Sequence, residues 1–421
     1  MQQRKGFTLV ELLVAMALIV FMMLILSEAF STALDSFRRI KAIGDMNARL
    51  RIASGILRRD LQADHFEGKR RLSNTTFWTP GPPREGFFRI WQGSAAVSEG
   101  TDSYGIPSAR ATNHILHFTV KLRGNDWQDF LAAKVPTGSP LLSLGNGDSR
   151  FQNGTDFNSQ WFEVVYFLRR NGNSADATPL YALYRRQRLI MPETPGLHDL
   201  NWGANRVAVS ELPNYLEVSC KANPQDPGFL YFNTPTDVTI PQRRFGADPS
   251  QSFNLAANQW PGLPTVRNVP SEGILPNDPR TWTYPTLGEE NPALEGNDLL
   301  LPDVISFEVK IATSSISDFV DLPTSSTNDM FRDQAASGPA PRFRPHVFDT
   351  WTRVVDGYYF DSTGRSLDYS RWRESTIRAP STTFNPLHAP NYSTIFALKI
   401  TLRVWDVKTL QARQITIIQD L

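Results

Sequence analysis

Arg4-Lys5-Gly6-Phe7-Thr8-Leu9-Val10-Glu11-Leu12 begins an apolar run that continues to Leu26. The run is long enough to cross a bilayer, for which about 20 apolar residues suffice. It holds one acid, Glu11, four residues from Phe7 and so about 6 Å along a helix. A carboxylate inside hydrocarbon is costly and needs a partner, which makes it a functional residue by default. A secretory signal peptide would share the basic start, but Ser27-Glu28-Ala29 is a poor cleavage site, and that reading explains neither Gly6-Phe7 nor Glu11. A plain signal anchor also leaves Glu11 unexplained. A buried core helix would not need so long an apolar run.

Beyond the run, no proline occurs until Pro80. Apolar residues recur at Phe30, Ala33, Phe37, Ile40, Ile43, Met46, Leu50, Ala53, Leu57 and Leu61, in steps of three and four. That spacing marks one face of a helix. Asp35, Arg38, Lys41, Asp45, Arg49, Arg59 and Gln62 fill the other. The pattern predicts one continuous helix from about Phe7 to about His65, membrane-spanning over 7–27 and amphipathic over 28–66. Arg4 and Lys5 precede the span with no nearby acid, so the N-terminus is expected on the cytoplasmic side and the rest of the chain outside. Arg38, Arg39 and Lys41 weaken that asymmetry, but long domains translocate largely regardless of charge.

Lys5-Gly6-Phe7-Thr8-Leu9-Val10-Glu11-Leu12 resembles the N-terminus of type IV prepilins and of the pseudopilins of type II secretion systems. The resemblance implies a leader over 1–6, cleavage between Gly6 and Phe7 by a membrane peptidase, and methylation of the new N-terminal Phe7. It also implies that Glu11 neutralises the N-terminal amine of a neighbouring subunit during assembly. The implied partners are the prepilin peptidase, the membrane, and other pseudopilins or minor pilins met through the N-terminal helix. The implied location is the bacterial inner membrane, single-pass, with a periplasmic head.

The head, 67–421, is expected to be rich in strands. His114–Leu122 alternates in polarity, and Trp161–Leu168 and Leu180–Arg186 flank Asn171-Gly172 as a hairpin. Gly86–Trp91, Leu299–Ile311, Thr394–Trp405 and Leu410–Ile418 are further strands, the last two joined through Asp406–Thr409. Residues 191–297 are proline-rich with little periodicity and are expected to form an insertion with small elements of its own, such as Asp237–Ile240. A second loop-rich stretch spans 314–345. The predicted class is α+β, pilin-like: a long N-terminal helix packed on an antiparallel sheet with long loop insertions. Arg59-Asp60-Leu61 at the helix end, Leu183-Tyr184-Arg185, the Leu299–Phe307 strand and the closing strand pair resemble the J-type minor pseudopilin. A minor pilin of the W type shares much of this pattern. The K type usually lacks the acid that Glu11 supplies.

Lys plus Arg number 43 against 42 Asp plus Glu, a net charge of +1, which leaves no basic excess for nucleic acid. One cysteine, Cys220, excludes an internal disulfide. The six histidines are His65, His114, His117, His198, His346 and His388. His114 and His117 fall on opposite faces of a strand and are expected at its surface or edge rather than as joint metal ligands. No P-loop, zinc-hydrolase or serine-hydrolase motif occurs, so no enzyme is expected. No cofactor is expected. Calcium has two candidate stretches, Asn146–Asp156 and Asp361–Asp368, and neither has EF-hand spacing; solvated turns are the better reading. Trp351, Tyr358, Tyr359, Phe360, Tyr369 and Trp372 cluster with Arg353, Arg365, Arg371 and Arg373, read as core aromatics with exposed arginines or, alternatively, as an interface patch. The expected function is a minor pseudopilin at a filament tip. The alternatives are a W-like minor pilin, a tip adhesin or cargo-binding module using 191–297, and a membrane-anchored enzyme.

Overall fold

The computed structural model describes residues 8–77, 83–92, 114–144, 156–173, 179–193, 206–208, 211, 214–215, 217–222, 229–239, 244, 299–313, 318–322, 347–350, 394–406 and 409–421. A single helix, α1 (Leu9–Gln62, 54 residues), leads the chain. At 1.5 Å per residue it is about 80 Å long. A five-residue helix, α2, follows at Pro140–Leu144. The strands, in chain order, are β1 (Phe88–Trp91), β2 (Ile115–Lys121), β3 (Leu131–Lys134), β4 (Asp156–Ser159), β5 (Trp161–Asn173), β6 (Pro179–Leu189), β7 (Arg206–Ala208), β8 (Cys220–Ala222), β9 (Phe229–Phe232), β10 (Leu299–Thr313), β11 (Val347–Asp349), β12 (Ile395–Asp406) and β13 (Gln411–Asp420).

Eight of these form the main sheet, in the order β11-β1-β2-β5-β6-β10-β12-β13, and every adjacent pair runs antiparallel. The helix lies on one face of it. Met46, Leu50, Ala53, Leu57 and Leu61 are buried there, joining Leu116, Phe118, Val164, Phe307 and Ile400 in the principal core. Each leucine so buried contributes about 1.5–3 kcal/mol. The predicted stripe therefore divides. Its C-terminal half packs on the sheet, while Phe30, Phe37 and Ile40 stay exposed.

The helix ends at Gln62, three residues short of His65, because the next residues are engaged by the sheet. Ala63 is extended. The Asp64 carbonyl accepts from the Lys121 amide at 2.7 Å, and its carboxylate pairs with Arg123. His65 is buried against the rings of Phe66, Phe88 and Phe118, with Nδ1–H donating to the Thr119 carbonyl at 2.7 Å. Gly86 closes this corner with φ +78°, and a Cβ there would run into the His65 carbonyl oxygen. Backbone cannot yield as a side-chain tip can. Gly86→Ala should therefore lower stability by about 2–3 kcal/mol, measured as a shift in the denaturation midpoint.

A second layer covers part of the opposite face. β7, β9 and β8 form a three-stranded antiparallel sheet, and β3 and β4 pair beside it. Ala133, Val135, Leu141, Phe157, Leu189, Met191, Val207, Tyr215, Val218, Leu230 and Phe232 make a separate core among these pieces and the end of β6, while Phe87, Trp161, Ile190 and Val238 cluster on the face opposite α1. The expected element at Asp237–Ile240 is a 3₁₀ turn, Asp237–Thr239. β5 and β6 pair antiparallel as the expected hairpin, with the turn beyond Asn171-Gly172 rather than at it. β5 continues to Asn173, with a register shift between Arg170 and Gly172 where Gly172 takes φ +128°.

Candidate functional site

The first candidate site is the N-terminal end of the helix. Arg4, Lys5, Gly6 and Phe7 lie outside the described residues. Thr8 is the N-cap, with extended backbone, and Glu11 stands at the third helical position. The two form a capping box. The Thr8 amide and hydroxyl both donate to Glu11 Oε2, at 2.9 and 3.0 Å, and the Glu11 amide donates to Thr8 Oγ1 at 3.3 Å. Each side chain thus satisfies a backbone N–H that the first helical turn leaves without a partner. The acid that looked unaccompanied in the sequence has an internal partner three residues away.

Around this cap the rod is bare. Leu9 is 81% exposed, and Val10, Leu12, Leu13 and Val14 are exposed with it. The most apolar window of the helix is long enough to cross a membrane, and none of it is buried against the rest of the chain. An apolar surface of this extent marks contact with lipid or with other proteins.

The second candidate site is the far end of the rod. Asp60 falls on the buried stripe, three residues after Leu57, and is 1% exposed. Arg185 Nε on β6 donates to Asp60 Oδ2 at 2.6 Å, and the Tyr166 hydroxyl on β5 donates to the same oxygen at 2.6 Å. Burial, then the Asp60 charge, pushes the Tyr166 hydroxyl well above its ordinary pKa and keeps it a neutral donor. This trio locks helix to sheet. The sequence carried a signal for it, an acid three residues after Leu57 on the core stripe, which its reading as part of the Arg59-Asp60-Leu61 helix end passed over.

His114 and His117 are not surface or edge residues; both are buried. Their strand is covered on both faces, by α1 and by the second layer. His114 Nδ1 accepts from the Val309 amide at 2.9 Å, and His117 Nε2 lies 3.1 Å from Glu163 Oε2. Among the described residues no group of three His, Cys, Asp or Glu could hold a metal ion. Of the calcium candidates, Asp156 begins β4, while 146–155 and 361–368 lie outside the described residues, as does the aromatic–arginine cluster at 351–373.

Comparison with known families matches residues 1–27 to the prokaryotic N-terminal methylation motif. Comparison with curated proteins and with solved structures returned no match.

Proposed function

The chain is a type IV prepilin-like protein by its N-terminal methylation motif, and from that premise we propose that it is a J-like minor pseudopilin at the tip of a type II secretion pseudopilus. The motif and the long apolar helix mark a membrane-anchored protein of the kind that prepilin peptidase processes. In the proposed sequence of events, Arg4 and Lys5 hold the leader on the cytoplasmic side. The peptidase cuts between Gly6 and Phe7, and Phe7 is methylated. The helix then leaves the bilayer for a filament core, where Leu9, Val10, Leu12, Leu13 and Val14 exchange lipid for neighbouring helices. There the Glu11 carboxylate takes the amine of Phe7 of an adjoining subunit as its cation. Until that moment the Thr8 capping box holds the carboxylate, so assembly replaces one set of hydrogen bonds by an ion pair.

The observation that carries the membrane-rod reading is the capped, wholly exposed apolar half of α1 joined to a head with an antiparallel sheet. What supports the J-type reading is a contact. Arg59-Asp60-Leu61 and Leu183-Tyr184-Arg185, the two short segments that resemble that type, meet through the Asp60–Arg185 pair. Glu11→Val tests the assembly step. The variant should be cut normally and yet be largely missing from sheared filaments; incorporation at the wild-type level would refute the pairing role. Deleting the whole chain tests the machine. Secretion of folded exoproteins should stop while pilus-driven motility persists, and the reverse outcome would assign the chain to a type IV pilus.

A further inference from the structure

The two layers of the head are joined by a buried polar chain. Asn233 Nδ2 donates to Ser219 Oγ at 2.7 Å, and Ser219 Oγ donates in turn to Glu163 Oε1. His117 Nε2–H meets the other carboxylate oxygen at 3.1 Å. Glu163 and His117 belong to the main sheet, on β5 and β2; Ser219 and Asn233 belong to the covering layer beside β8 and β9. Glu163, Ser219 and Asn233 are fully buried and His117 nearly so. The same residues carry the backbone seam. Ser219 N donates to Leu189 O, Asn233 N to Ser219 O and Met191 N to Asn233 O, all at 2.8–2.9 Å. Arg244 closes the cluster, its guanidinium 3.7 Å from the centre of the Phe87 ring, which meets His117 edge-on.

We propose that this cluster is an acid-sensitive latch, in which a proton taken up at His117 releases the 206–239 layer from the main sheet. The charged groups facing His117 are the Glu163 carboxylate, Arg89 directly across on β1, and Arg244 from the covering segment. Arg188, on β6, lies directly across from Glu163 on β5. Two arginines and one carboxylate leave no favourable place for a third cation. The closed latch therefore needs the neutral imidazole, which donates one N–H to Glu163. Burial holds the His117 pKa below its ordinary 6.5, against the pull of Glu163. The sign follows from that direction. Above about pH 6.5 neither the closed nor the opened layer is charged at His117; below it the opened layer binds a proton that the closed one refuses. Each pH unit then favours opening by up to about tenfold, until the closed-state pKa is reached. Opening would bare Leu189 and Met191 at the end of β6, with Val135, Leu141 and Phe157 of the β3, α2 and β4 pieces.

Hydrogen exchange of the full chain in detergent, read at about pH 7.5 and about pH 5.5 and corrected for intrinsic rates, tests the latch. Amides of Ser219, Asn233 and Leu230 should lose protection at acid pH while those of Phe307 and Ile400 keep theirs. His117→Gln should abolish that local response, and His65→Gln, which alters a buried histidine just beyond the end of α1, should leave it in place. Equal loss in both layers, no acid response, or a response that survives His117→Gln would overturn the proposal. Should the glutamine variant not fold, Ser219→Ala decides. Faster exchange in the covering layer alone at neutral pH supports the latch, and unchanged exchange there refutes it.

Discussion

Replacing Asp60 by alanine is expected to lower the stability of the head by about 3–5 kcal/mol, the largest loss anticipated for a single side chain outside the apolar core. The reason is what stays behind. Arg185 would keep its guanidinium in a buried place without its carboxylate, and the Tyr166 hydroxyl would lose its acceptor. Leaving a buried charge unpaired costs more than the pair contributes, so the effect measures the orphaned partner rather than the worth of the bond. Asp60→Asn should cost less, because an amide oxygen still accepts from both donors. Arg185→Met combined with Asp60→Leu and Tyr166→Phe should recover much of the loss, since three apolar side chains of similar size leave nothing of the trio unpaired. Denaturant titration of the full chain in detergent, followed by tryptophan fluorescence, reads all three. A loss below about 1 kcal/mol for Asp60→Ala, the range of an exposed pair, would show that the trio is solvated.

Gly6→Glu is expected to leave the chain uncut. The consequence reaches beyond the missing cleavage. Only a cut between Gly6 and Phe7 places an amine next to the carboxylate-bearing turn. In the uncut chain Arg4 and Lys5 stand before the apolar run. Drawing those two cations into a helix-packed core would strand buried charge. The uncut chain should therefore stay in the membrane fraction and be absent from filaments. Intact-mass spectrometry separates the outcomes: the full precursor mass, or a product shortened by the leader and carrying one methyl group. A mature mass from the Gly6→Glu variant would remove the cleavage assignment.

Much of this architecture was written in periodicity. The three-and-four spacing from Met46 to Leu61 is the buried stripe, and β2, β5, β6, β10, β12 and β13 fall where alternation placed strands. What escaped was short or set from outside. β3, β4, β7, β8 and β9 have three or four residues each, too few to establish a period of two. The histidines misled for a different reason. Polar residues alternating with apolar ones, as in Ile115–Lys121, normally mean one wet face. Here that face lies under a second layer that comes from distant sequence, and His117 and Thr119 are satisfied by hydrogen bonds instead of water. Asp60 was legible as an acid on a core stripe, but its partners lie 106 and 125 residues away. At the N-terminus the reading of Glu11 as an unaccompanied acid passed over the Thr8–Glu11 spacing, a capping-box signal whose two partners sit within one helical turn.

The rod also sets a distance. The sheet takes hold of α1 only from Met46 onward. The free stretch before it, from Leu9 to Asp45, measures about 55 Å as a straight helix, against a hydrocarbon core of about 30 Å. Standing upright in a bilayer, the helix would hold the head clear of the hydrocarbon edge by about 25 Å, a gap that lipid headgroups only partly fill. The charged residues Asp35, Arg38, Arg39 and Lys41 lie on this neck. A head on such a stalk has room to swing before it is drawn anywhere, and its neighbours can reach the exposed Phe37 and Ile40 without first displacing lipid.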